Sequence, residues 1–155
     1  MVTSRDVDKI LSLLRRVYST IVIDMSSSIN DINLSFLDTS DTIIEIVTYD
    51  STTIHNTIAM ADTFRSIGYP ASKVHYLVNR ADSSGGIDPE DLHRALGRVP
   101  EHRVVSDGHL VVRANNEGVP FVLANPSAQI SQDVGRVASD LLAVHGLGVP
   151  VAARR

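Results

Sequence analysis

The chain has 155 residues, 43% of them hydrophobic and 21% charged, enough for one domain with a real core. Fourteen Lys and Arg against 18 Asp and Glu give a net charge of -4 with no cationic cluster, which argues against a nucleic-acid surface. The absence of cysteine excludes disulfides and thiolate metal sites and fits a cytoplasmic protein, while the polar start MVTSRDVDKI does not read as a signal peptide. No apolar run approaches the ~20 residues of a membrane span.

Helical periodicity begins at once. Val7, Ile10, Leu11, Leu14 and Val17 predict a helix over 4–17, capped by Thr3 or Ser4. The run TIVID at 20–24 reads as a strand ending on Asp24, followed by the small polar loop Met25-Ser26-Ser27-Ser28. A short helix over 30–38 starts at Asn30 or Asp31 and buries Leu34 and Leu37. TIIEIV at 42–47 is a second strand, and Ser51 or Thr52 caps a long helix with Ile54, Ile58, Ala61 and Phe64 or Arg65 inside. Gly68 and Pro70 close it.

KVHYLVN at 73–79 is a third strand. Asp88 caps a helix with Pro89 in its first turn, and Gly97 ends it. A fourth strand at 102–105 leads to Asp107, which caps a helix ended by Gly118. The last helix spans 127–145, capped by Ser127, with Ile130, Val134, Val137, Leu141 and Val144 or His145 on its inner face and Gln129, Gln132, Asp133, Arg136 and Asp140 on its polar side. That polar side lacks the row of cations that anionic lipid attracts, so the helix is expected to cover the sheet rather than enter a membrane.

Strands alternate with helices throughout. The pattern predicts an α/β fold, a partial doubly wound and mainly parallel sheet of about four strands with helices on both faces. Residues 1–145 read as one domain and 146–155 as a flexible tail.

In such sheets ligands bind beyond the carboxyl ends of the strands. Here those ends offer Asp24 with Ser26–Ser28, Thr48 with Asp50, Asn79 with Arg80 and Asp82, and Ser106 with Asp107. Asp24 is either an Mg²⁺-side carboxylate or a loop acid capping the next helix. Asn79 either pairs with a purine edge, with Arg80 stacked on the ring, or bonds its own turn. The six histidines show no metal-binding spacing, and Gly85-Gly86 lacks the glycines and lysine of a phosphate cradle.

Taken in order, YSTIVIDMSSSINDINLSFLDTSDTIIEIVTYDSTTIHNT, GYPASKVHYLVNRADSSGGIDPEDLHRALG and SDGHLVVRANNEGVPFVLANPSAQIS resemble the second half of the deviant Walker A P-loop ATPases, the MinD/ParA group. They look most like its CpaE/TadZ branch, linked to pilus assembly and polar localisation. The resemblance covers roughly residues 18–131. It implies ATP and Mg²⁺ as cofactors of the intact domain and protein partners in a pilus or localisation apparatus. Asp24 matches the Walker B aspartate, which holds Mg²⁺ through water. Ser26, Ser27 and Ser28 fall in the switch segment, although the family often has proline or alanine after the aspartate. Asn79 and Arg80 match the adenine-contacting pair, and Asp107 lies in the late loop of the base pocket, with Val105-Ser106 where a proline is usual.

The resembled phosphate loop has no counterpart before Asp24, where the first 23 residues contain no glycine. The chain alone is therefore expected not to hydrolyse ATP, since phosphoryl transfer rests on positioning and charge neutralisation. Without the P-loop strand, the gap in the sheet is expected to close by direct pairing of 20–24 with 42–47. Filling by another chain and a swapped homodimer are the alternatives. A receiver-like domain phosphorylated on Asp24, with Thr48 as switch hydroxyl, and a non-catalytic interaction module are the competing readings. The first lacks its earlier acidic pair and its late lysine.

Overall fold

The computed structural model describes residues 3–84 and 86–147. In chain order the elements are helices α1 (Ser4–Leu14) and α2 (Asp31–Thr39), strand β1 (Ile43–Val47), helix α3 (Ser51–Ser66), strand β2 (Val74–Asn79), helix α4 (Pro89–Leu96), strand β3 (His102–Val104), and helices α5 (Gly108–Glu117), α6 (Phe121–Ala124) and α7 (Gln129–Val144). They pack as two units, Met1–Ile43 and the chain from Ile44 onward.

In the first unit α1 packs on α2. Thr3 starts α1 with its backbone N–H and hydroxyl both donating to Asp6, at 2.9 and 2.7 Å. Asn30 caps α2 by accepting the Asn33 N–H at 2.9 Å. The helix α1 stops at Leu14, not 17, and its buried face is only Val7 and Leu11. Ile10 and Val17, expected inside, are 48% and 74% exposed. In α2, Leu34 and Leu37 are half-buried.

Residues 20–24 form no strand, which corrects the expected pairing with 42–47. The expected α/β fold with a short parallel sheet is present, and among the described residues that sheet has three strands in the order β1-β2-β3. A β-branched run becomes a strand only where a neighbour satisfies its backbone N–H and C=O groups, and 20–24 stays irregular, with Val22 90% exposed.

The second unit carries the sheet and two cores. Val47, Tyr49, Ile54, Val78 and Leu92 form one, with Ile58 and Leu96 of α3 and α4 packed against it. Val104, Leu110, Ile130 and Val137 form the other, with Leu77, Val134 and Leu141. The neighbours Leu77 and Val78 thus serve opposite faces, as the two-residue period of a strand requires. Leu92 and Val78, each 1% exposed, contribute about 1.5–3 kcal/mol apiece by burial. Helices therefore cover both faces at β2 and β3. At β1 the cover is one-sided, because Ile44 and Ile46 on its second face are 40% and 60% exposed.

Strand and helix ends fall close to their sequence signals, with two caps displaced. The acceptor for α3 is Asp50, one residue before Ser51, and α7 begins after Ala128 with no side-chain cap in place of Ser127. Asp88, Asp107, Gly97 and Gly118 act as expected, the two glycines in the left-handed conformation. Gly86 has a different role. Ile87 donates to the Tyr49 carbonyl at 2.9 Å, and a Cβ on Gly86 would lie 2.1 Å from that same oxygen. The loop after β2 can return to the end of β1 only because that side chain is absent. Of the tail expected to be flexible, 148–155 lies outside the described residues.

Candidate functional site

The carboxyl ends of β2 and β3 lie side by side, with Asn79 in register with Val104. The chain leaves β2 through Arg80, which has φ 53 and is the non-glycine residue with positive φ among the described residues. Such a conformation is uncommon for a long side chain and marks an enforced turn. Two bonds enforce it. Asn79 Oδ1 accepts the Arg80 N–H at 3.0 Å, and Ala81 N–H donates to the Val104 carbonyl at 3.0 Å, one step beyond the strand pairing. Asp82 then accepts the Ser106 N–H at 2.7 Å and ties the two exit loops together.

A second acid fixes the rim from beneath. Asp133 of α7 is 5% exposed, and its Oδ2 accepts the Val105 N–H at 3.1 Å. Gln129 Nε2 donates to its other oxygen at 2.8 Å, and Arg136 lies 3.5 Å away. The sequence reading placed Asp133 on the outer, polar side of this helix, and the structure corrects that. The signal was its position, since residue 133 stands three after Ile130 and four before Val137, within the apolar stripe.

Asp107 begins α5 by accepting the Leu110 N–H at 3.0 Å, so one of its oxygens serves as a helix cap. Asn79 spends its oxygen on its own turn and keeps its amide donors. The Arg80 side chain is exposed and makes no hydrogen bond or ion pair among the described residues. The rim thus presents a free guanidinium and an amide on a tightly pinned backbone. That arrangement can grip a planar polar ring or an anion.

Asp24 and the serines belong to the first unit. Asp24 is exposed on irregular chain. Ser26 and Ser28 share a hydroxyl–hydroxyl bond of 2.9 Å, and Asn33 reaches back from α2 to donate to the Ser28 carbonyl at 2.6 Å. Asn33 escaped the sequence reading, as an asparagine in a first helical turn is commonplace. Ser27 is exposed. So Asn79, Arg80 and Asp107 come together on one rim, whereas Asp24 and Ser26–Ser28 form a separate loop.

At the end of β1, Thr48 donates to Asp50, whose carboxylate also accepts the Thr53 N–H at 2.8 Å and the Thr53 hydroxyl at 2.7 Å. The Thr48 hydroxyl, followed by the Thr53 backbone and side chain, lowers the exposed Asp50 carboxyl to about 2. Thr48 is thus committed to a helix cap. Among the described residues no three His, Asp or Glu side chains converge as a metal site. No described helix is long and apolar enough to cross a membrane.

No family model matches the chain, and no curated protein matches it. Solved structures do. A ParA family ATPase from Chlorobium tepidum TLS superposes with a TM-score of 0.81 over 90% of this chain at 19% identity. The fold is that of the ParA/MinD ATPases. The septum site-determining protein MinD of Pyrococcus horikoshii OT3, solved with Mg-ADP, gives 0.76 over 96% at 17% identity. The MinC:MinD cell division complex of Aquifex aeolicus gives 0.78 over 100% at 18% identity. The chain spans 57%, 60% and 63% of those three chains respectively.

Proposed function

We propose that this chain is the carboxy-terminal portion of an ATP-binding protein of the ParA/MinD type, of the CpaE/TadZ kind, acting in pilus assembly or polar localisation. In this reading Asn79, Arg80 and Asp107 receive the adenine, and Asp24 stands on the Mg²⁺ side, acting through water. The observation that carries it is the ParA/MinD-type fold, with Asn79 and Arg80 placed side by side at the carboxyl end of β2. The residues fit a base better than a phosphate: the rim offers an amide edge and a stacking cation, and the serine loop bonds mainly to itself. Bound ATP would supply the phosphoryl group. The chain's own residues would orient the base and hold one carboxylate toward the metal.

Asn79, Arg80, Asp107 and Asp24 leave the phosphates of a nucleotide without a cradle of their own, so these 155 residues taken by themselves are proposed to bind adenine nucleotide weakly and not to turn it over. Titration with a fluorescent ADP analogue tests this. Binding that weakens about tenfold or more in both Asn79→Ala and Arg80→Ala supports the reading, and binding unaffected by either removes it. Turnover that survives repurification and vanishes in Asp24→Ala would overturn the inactivity. A second reading, a non-catalytic interaction module, draws on the exposed Ile44 and Ile46. It requires no nucleotide binding at millimolar ATP.

A further inference from the structure

His75 and His102 stand on the adjacent strands β2 and β3, on the face that α7 covers. Their rings are close to parallel, 9° between planes, and His75 Nδ1 lies 3.3 Å from His102 Nε2. On the other side of the His102 ring, Nδ1 faces the Asp140 carboxylate of α7 at 3.8 Å. The His102 side chain is 5% exposed and Asp140 is 56% exposed. A chain of three titratable groups thus runs from the surface of α7, through a buried ring, to the neighbouring strand.

The chemistry of the facing nitrogens sets what this chain can hold. A neutral imidazole has one donor and one acceptor nitrogen, so one ring can donate to the other. One added proton on the pair is still accommodated, with the bond between the rings kept and His102 Nδ1 donating toward Asp140. A second added proton sets N–H against N–H, and the 3.3 Å contact cannot survive it. We propose that His75, His102 and Asp140 form a proton-operated latch that fastens α7 to the β2–β3 pair and loosens on acidification.

The charged groups around the buried ring agree. Burial, then the neighbouring His75, push His102 below the usual histidine range, against the pull of Asp140 and of Glu101, the residue just before β3. Glu101 is itself engaged, accepting the Tyr76 N–H at 2.8 Å and pairing with Arg98, so it is not free to swing over and compensate a new charge. A histidine whose folded form resists protonation contributes stability that is complete above the unfolded value of 6.5. That stability is lost as the pH falls from there toward the lowered folded value.

The test is urea unfolding of the full chain from pH 8 to pH 5, with EDTA present, for the wild type, His102→Gln, His75→Gln and the exposed-site control His55→Gln. Below pH 6.5 the wild-type unfolding constant should rise, by at most about tenfold per pH unit for one proton. His102→Gln should remove that rise, His75→Gln should reduce it, and His55→Gln should keep it. Glu45, whose carboxyl is raised by burial, contributes the opposite slope in every variant, so the difference from wild type is what is read. An identical slope in all four proteins overturns the latch. Should the His102 variant fail to fold, ring ¹⁵N resonances and α7 amide exchange of the wild type decide. Opening of α7 that follows the His102 titration supports the latch, and exchange that ignores it, after correction for intrinsic rates, overturns it.

Discussion

The loop after Asp24 and the rim beyond β2 and β3 look alike in sequence, as short polar runs behind β-branched stretches. They differ in what holds them. The rim is fixed by a register between strands, by Asp82 across the two exits, and by the buried Asp133 below. The loop at 26–28 is held by its own hydroxyls and by the half-buried Asn33, through bonds open to water. A polar side chain can be displayed anywhere, but its backbone becomes a fixed platform only where core-anchored elements close around it.

The largest effect is expected at Asp133. Asp133→Ala leaves the half-buried Val105 N–H without its acceptor, and should cost about 1–3 kcal/mol in urea unfolding. A smaller cost, within about 0.5 kcal/mol, would mean the rim is held by the strands alone. Gly86→Ala should come next, at about 1–3 kcal/mol, because its Cβ would meet the Tyr49 carbonyl and push the loop after β2 off the end of β1. Asn33→Ala should cost less than about 1 kcal/mol globally, and should show itself as faster amide exchange around Ser28. Asp24→Ala should be smallest, within about 0.5 kcal/mol, since the residue is exposed on irregular chain.

A pH series sharpens the same contrast at the end of β1. Asp50 is held at about 2 by Thr48 and Thr53, so its contribution to α3 is complete above the unfolded carboxylate value of 3.8. It should fade as the pH falls through about 2. An Asp50→Asn variant should show a correspondingly weaker dependence between pH 4 and pH 2 in thermal melts.

Local rules made much of this fold legible. Asp88 with Pro89, Asp107, Gly97 and Gly118 each sit where short-range chemistry puts them, because a cap is settled within four residues. The strand expected at 20–24 failed because pairing is a property of two segments, and β-branched side chains specify only one of them. Asp133 was misplaced for a related reason. Its partner is a backbone N–H 28 residues away, and no local pattern announces that a carboxylate in a helix will turn inward. Arg80 and Asn79 were found, yet their pinned turn was not, since it depends on the register between β2 and β3. The four-residue α6 also went unread, as a single turn between Pro120 and Asn125 carries almost no periodic signal.

The one-sided cover of β1 has a consequence for handling the protein. Four residues of high β propensity and one glutamate, Ile-Ile-Glu-Ile-Val, stand at the outer edge of the sheet with two isoleucines in water. An open edge of that kind is a template onto which another extended chain can hydrogen-bond. Glu45 is the charge within the run that opposes such stacking, and burial makes its carboxyl easier to neutralise. Mild acid and high concentration together should therefore favour self-association. Ile46→Lys should raise the solubility limit under those conditions, as light scattering would record.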